Sequence, residues 1–327
     1  MAFRVRHAIF SDPVFVVLLM LRNLFLALII ALCLSCLAAE AQTQAETRQN
    51  LLQYLEAGKP QEAIPVGEKA IAQWPDDPEI RHFLGLAYFK AGQLKPARGQ
   101  LERSRDLNKK DPQTHFDLAL VCLSQQDYSA AADELQVVVK LTPSNALAHV
   151  LLGRSYLNSN RSVQAIDEFK SALRLDPAIR LGHYHLGFAY SSLGRNDEAI
   201  AEYRTELQRS GEHPEVVYEL GHSVLESGKY EEAISHLQRA AELTPQNPDV
   251  WYNLGKAQLL TGKVEQAATS LRKAIELNPK DPSPHYQLAR ALEKMGKTDD
   301  ARVERELFSE LKKAQPASAG MATGRDQ

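Results

Sequence analysis

From Gln44 onward the sequence repeats every 34 residues without insertion or deletion, in units that start at Gln44, Pro78, Pro112, Ala146, Arg180, Pro214, Pro248 and Pro282. Eight such units fill residues 44–315. The twentieth position of every unit is alanine: Ala63, Ala97, Ala131, Ala165, Ala199, Ala233, Ala267 and Ala301. A period of this length means that each unit is one supersecondary element, unable to bury its apolar face alone, so neighbouring units must stack to complete a core.

The eighth position is nearly as restricted, holding Gly85, Ala119, Gly153, Gly187, Gly221, Gly255 and Ala289, with Leu51 in the first unit. Glycine inside a helix costs about 1 kcal/mol against alanine, so its recurrence predicts close approach of two helices. Large apolar residues surround those contacts. They stand at the eleventh position (Tyr54, Tyr88, Tyr156, Tyr190) and at the twenty-fourth (Leu101, Leu135, Phe169, Tyr203, Leu237, Leu271). Helix ends recur too. Gly58, Gly92, Gly194, Gly228, Gly262 and Gly296 fall where a left-handed residue closes the last turn of the first helix, Asn160 can do the same, and only Gln126 departs. The second helix is expected to stop before Pro75, Pro143, Pro177, Pro245 or Pro279. The next starts with Asp77-Pro78, Asp111-Pro112, Asn247-Pro248 or Asp281-Pro282, an N-cap acceptor followed by a proline that needs no backbone donor.

Stretches such as Trp251-Tyr252-Asn253-Leu254-Gly255 and Ala274-Ile275-Glu276-Leu277-Asn278-Pro279 resemble tetratricopeptide repeats, and the resemblance extends over residues 44–315. It implies an all-α fold, an α-solenoid of eight antiparallel helix pairs wound as a right-handed superhelix. It also implies that the first helix of each pair lines a concave groove that grips peptides or extended protein segments. The fifth unit departs most, with Glu206 for a usual small residue and Gly211 for proline. The eighth fades at Arg305 and Phe308, which fits a capping role at the end of an array.

In this family the groove is formed by the second, fifth, ninth, twelfth and thirteenth positions. The fifth column runs Arg48, His82, Phe116, Val150, Tyr184, Tyr218, Tyr252, Tyr286, and the ninth runs Leu52, Leu86, Leu120, Arg154, Phe188, His222, Lys256, Arg290. The groove is therefore expected to change from aliphatic in units one to three to tyrosine-lined and cationic in units six to eight. The candidate protein-binding residues are Phe116, Arg154, Tyr184, Phe188, Tyr218, His222, Tyr252, Lys256, Tyr286 and Arg290. A tyrosine ladder beside cations could stack on an extended peptide and receive its acidic side chains. The competing reading is that tyrosine is simply the residue preferred there for packing between repeats. The carboxylate-clamp variant resembles a pattern of lysine at the fifth and asparagine at the ninth position, and no unit has either. An asparagine ladder at the sixth position is missing as well.

Little is left over for catalysis. There is no HExxH, no glycine-rich phosphate loop and no GxSxG, and the glycines present are accounted for by helix ends and close contacts. His115, His149, His183 and His285 share the fourth position, which Trp251 takes in unit seven, so they read as packing residues rather than metal ligands. Neither metal nor cofactor is expected. A formal charge of −3 gives no basic field for nucleic acid. Cys122 is alone in the repeats, so no disulfide can form within them.

Residues 1–41 have the layout of a signal peptide: Arg4, Arg6 and Arg22, then the apolar run 24–39, then small residues at Ala39 and Ala41. Cleavage after Ala41 is expected. Uncleaved, residues 1–41 would be a membrane anchor, with Arg22 near mid-membrane at a cost of about 2.5–3.5 kcal/mol. Lipidation at Cys36 is disfavoured by the preceding Cys33-Leu34-Ser35. Either way residues 42–315 lie outside the cytoplasm, periplasmic, secreted or held at the inner membrane, while residues 316–327 form a polar, disordered tail. The expected function is a non-catalytic scaffold or adaptor of the cell envelope with protein or peptide partners. The alternative is a self-associating or membrane-tethered structural protein without a dedicated peptide ligand.

Overall fold

The computed structural model describes residues 13–314, all of them helices and short connections with no strand. The start of the leader, with Arg4 and Arg6, and the expected tail lie outside the described residues. The chain forms two compact units, Met1–Leu141 and Thr142–Gln327. The first contains α1 (Pro13–Glu56), α2 (Pro60–Gln73), α3 (Pro78–Lys90), α4 (Leu94–Leu107), α5 (Pro112–Ser124) and α6 (Tyr128–Leu141). The second contains α7 (Ala146–Asn158), α8 (Ser162–Leu175), α9 (Gly182–Ser191), α10 (Asn196–Ser210), α11 (Pro214–Glu226), α12 (Tyr230–Leu243), α13 (Pro248–Leu260), α14 (Val264–Leu277), α15 (Pro282–Lys294) and α16 (Thr298–Ala314).

Within each unit the two helices of a repeat pack on one another, and the second helix also packs on the first helix of the next repeat. First helices touch first helices, as α3 does α5 and α11 does α13, so each unit is two helix layers thick. The twentieth-position alanines lie between the layers, seven of them fully buried and Ala301 at 1% exposure. The helix boundaries follow from the turn residues. Asp77 accepts hydrogen bonds from the backbone N–H groups of Glu79 and Ile80, and Asp111, Asn145, Asn247 and Asp281 cap α5, α7, α13 and α15 in the same way. Gln126 takes the left-handed conformation at φ 60° although it is not glycine, and Asn160 does so at φ 57°.

The eighth-position glycines are set by the twenty-fourth-position side chain of the same repeat. A Cβ on Gly153 would lie 2.6 Å from the Phe169 ring, and one on Gly187 would lie 2.8 Å from the Tyr203 ring. Phe169 and Tyr203 are fully buried, so neither ring has room to retreat. Gly153→Ala is therefore expected to destabilise by about 1–2 kcal/mol net, overpacking outweighing the gain in helix propensity. Gly99 in α4 has open space around its Cα, and Gly99→Ala is expected to stabilise by about 0.5–1 kcal/mol. Urea unfolding of both variants checks the pair, and shifts of the same sign would contradict the account.

The fifth repeat shows why it departs from the pattern. It lacks the Asp-Pro start, Leu181 turns left-handed at φ 57°, and α9 begins at Gly182 with no side-chain cap from the preceding residue. Glu206 on α10 supplies the missing acceptor. Its carboxylate, 3% exposed, accepts from the Tyr184 N–H at 3.3 Å and from the Ser210 hydroxyl at 2.6 Å. A carboxyl group in a position usually held by a small residue is thus satisfied by one unpaired donor of a helix N-terminus and by a hydroxyl of its own helix.

Candidate functional site

The fifth and ninth positions lie one helical turn apart on the same face of each first helix, so every repeat offers a pair of side chains there. In the Met1–Leu141 unit the polar members are already spent on packing. Arg48 reaches Asp77 at 2.7 Å, and His82 donates to Asp117 at 2.7 Å with both residues buried. What remains is Leu52, 40% exposed, with half-buried Leu86, Phe116 and Leu120. This face is aliphatic and aromatic.

In the Thr142–Gln327 unit the remaining nine candidate residues lie on successive first helices. Arg154 on α7 is exposed, and Tyr184 on α9 has its ring 6.4 Å from that of Phe188. On α11, Tyr218 and His222 stack at 6.2 Å with an interplanar angle of 15°. Tyr252 and Lys256 follow on α13, both half-buried. On α15 the Arg290 guanidinium sits 6.0 Å from the centroid of Tyr286, which is 44% exposed. The aromatic ladder is thus a set of aromatic-aromatic and cation-aromatic pairs set one turn apart.

Two features of this face escaped the column reading. Lys256 Nζ donates to Glu226 at 3.0 Å, so its charge is matched by the thirteenth position of the preceding repeat. The Tyr218 hydroxyl accepts from Asn253 Nδ2 at 3.0 Å. His82–Asp117 and Tyr218–Asn253 are both pairs 35 residues apart, joining a fifth position to the sixth position of the next repeat. Pairing columns across repeats would have revealed them. Tyr218 therefore both joins two repeats and stacks its ring on His222. Carboxylates enter the face as well: burial, with Glu219 and Glu215 adding to it, pushes the Tyr184 phenol up to about 12. Burial beside Arg154 pulls the neighbouring His185 down to about 4, with Glu206 opposing. His185 is consequently a neutral ring at pH 7, stacked on Phe169 at 5.5 Å.

The fourth-position histidines have a structural explanation. His115 donates to Glu134, His149 to Glu168, His183 to Glu202 and His285 to Glu304, each 19 residues on and at 2.5–2.6 Å. Each pair ties the first helix of a repeat to its second. Where the fourth residue is Arg81, the partner is Gln100 at 2.9 Å. Among the described residues no three histidine, cysteine or acidic side chains gather as metal ligands would. Cys122 is buried in a core cluster with Leu84 and Leu118, and burial pushes its thiol up to about 11.

Family models match this chain in three regions. One described as TPR repeat matches residues 221–262 and 259–296, and two described as tetratricopeptide repeat match residues 54–115 and 150–214. Among solved structures, the APC/C hetero-tetramer Cut9-Hcn1 is similar with a TM-score of 0.54 at 17% identity, over 75% of this chain and 48% of that one. MamA from position 41 to its end, from Desulfovibrio magneticus RS-1, is similar with a TM-score of 0.50 at 20% identity, over 53% of this chain and 97% of that one. At these identities the likeness is one of fold. No curated protein sequence matches.

Proposed function

The chain belongs to the tetratricopeptide-repeat family, whose members are generally non-catalytic scaffolds for protein-protein interaction, and from that premise we propose that it is an adaptor binding an extended, acidic segment of a partner protein along α7, α9, α11, α13 and α15. The observation that carries the proposal is the run of half-exposed aromatic faces and cations on successive first helices, from Arg154 to Arg290. An extended peptide can lay alternate side chains between such rings, and its carboxylates can meet Arg154 and Arg290. The role is non-catalytic.

Replacing both arginines, Arg154→Glu with Arg290→Glu, is expected to weaken partner capture at least about tenfold and to make the residual binding insensitive to salt. Capture of the same partner at unchanged strength would overturn the proposal.

We also propose that the protein is exported and acts in the cell envelope. The support lies on α1, where Leu24, Phe25, Leu28 and Leu32 are each 66–68% exposed on the described helix. An apolar surface of that extent is not left in water, and either removal of the leader or burial in lipid disposes of it. Cleavage after Ala41 predicts a mature N-terminus at Gln42. Mass spectrometry of protein recovered from the producing cell tests this, and an intact leader on protein that fractionates away from membranes would contradict it.

A further inference from the structure

On the face of α13 opposite the aromatic ladder, α12, α13 and α14 line an open cleft of about 730 Å³. It is lined by Gln238, Glu242, Trp251, Gln258, Thr269 and Ser270, with Leu254, Ala241 and Gln266 completing the wall. The positions concerned on α13 are the fourth, seventh and eleventh of the repeat. At about 100° per residue they point away from the fifth and ninth.

The seventh repeat differs from the second and fifth in two columns that line this cleft. In the second repeat the eleventh position is Tyr88, 8% exposed, whose hydroxyl crosses to Glu68 on the preceding repeat and donates to it at 2.6 Å. In the fifth repeat Tyr190 fills the same place, 5% exposed, with the Lys170 ammonium 5.6 Å from its ring centroid. Glu68, Lys170 and Gln238 occupy the same column. In the seventh repeat that position is Gln258. The histidine-glutamate pair of other repeats is here Trp251 and Ser270. Gln258 is only 4% exposed. Its Oε1 accepts from the Ser270 hydroxyl at 2.8 Å, while its Nε2 has no hydrogen-bond partner among the described residues and lies at the cleft wall. The Nε2 donors are thus left at the cleft wall, where a ligand that accepts hydrogen bonds could take them.

We propose that this cleft binds a neutral saccharide of about two sugar rings. Its volume lies in the range of small-molecule sites, about 300–1,000 Å³. The wall offers three carboxamides and two hydroxyls, groups that donate and accept at once, as sugar hydroxyls do. The indole of Trp251, anchored through its Nε1–H to the Pro245 carbonyl at 2.9 Å, supplies a flat apolar face for the C–H side of a pyranose. The only charged group in the lining, Glu242, is held by Arg239 at 2.7 Å. No cation in the wall would receive a phosphate or carboxylate, so an anionic ligand is not matched. The inference is independent of the aromatic ladder and of any peptide bound there.

The chain contains two tryptophans, Trp74 and Trp251, so a Trp74→Phe background makes fluorescence report on Trp251 alone. Titrating that full-length protein with maltose, cellobiose and N,N′-diacetylchitobiose is expected to give a saturable change with at least one of them. Gln258→Tyr, which rebuilds the filling residue of the second and fifth repeats, should fold at least as stably, and it should lose affinity by at least about tenfold. Arg154→Glu should leave the response intact. No response to any of the three sugars up to about 50 mM, a limit that corresponds to roughly 2 kcal/mol of binding free energy, overturns the proposal. An undiminished response in Gln258→Tyr does so too.

Discussion

Acidification from pH 7 to pH 4 is expected to remove about 3 kcal/mol of stability from the Thr142–Gln327 unit through His185 alone. Burial, with Arg154 nearby, holds this imidazole at about 4 in the folded state, against an ordinary value of 6.5. Between those values the unfolded chain binds a proton that the folded chain refuses. Stability is thus fully present above about pH 6.5 and declines as pH falls toward 4, by roughly 1.4 kcal/mol per pH step. Glu206 works in the opposite direction and keeps the depression from being larger. His185→Phe preserves a ring against Phe169 and removes the titration. Other carboxylates and histidines titrate in both proteins, so the informative quantity is the difference between them. Urea midpoints of the wild type and His185→Phe should separate in favour of the variant as pH falls from 7 to 4. Parallel pH dependences would show that His185 is not held neutral by the fold.

Tyr218→Ala combined with Tyr252→Ala is expected to cost partner binding about 30-fold to 1,000-fold. Tyrosines central to an interface are worth 2 kcal/mol or more on truncation, and each 1.4 kcal/mol is tenfold. Because the Tyr218 hydroxyl accepts from Asn253, the double variant also loses contact between the sixth and seventh repeats. Tyr218→Phe separates the two roles. It removes the hydroxyl and keeps the ring, so stability should fall by about 0.5–1.5 kcal/mol while binding changes little. If Tyr218→Phe weakened binding as much as the double alanine variant, the ring faces would not be the recognition surface, and Tyr218 would act only by joining repeats.

The repeat period made most of the fold legible. Helix starts at Pro78, Pro112, Pro248 and Pro282 follow from an acceptor and a proline, and the packing of Gly153 on Phe169 follows from the eighth and twenty-fourth columns. Columns read one at a time could not show pairings between them. His115 with Glu134 joins the fourth position to the twenty-third, and Tyr218 with Asn253 joins one repeat to the next. Both are visible only when two columns are compared. Glu206 read only as a departure from the pattern because one of its partners, the Tyr184 N–H, is a backbone group that carries no sequence signal. Lys256 read as a bare cation for a similar reason, since its partner Glu226 stands in a different column of a different repeat. The cleft at Trp251 was not legible, because a volume between three helices is set by packing that no motif records.

The central claim is that a partner segment lies against the fifth-position side chains of the Thr142–Gln327 unit, and site-specific photo-crosslinking tests it most directly. A photoreactive phenylalanine analogue placed at Tyr286, the most exposed of the four tyrosines, is compared with one placed at Val163 on α8, which is 64% exposed. The account predicts a discrete crosslinked partner from position 286, lost when Tyr218→Ala and Tyr252→Ala are present, and none from position 163. Equal crosslinking from both positions, or a position-286 product that survives the double alanine substitution, would contradict it.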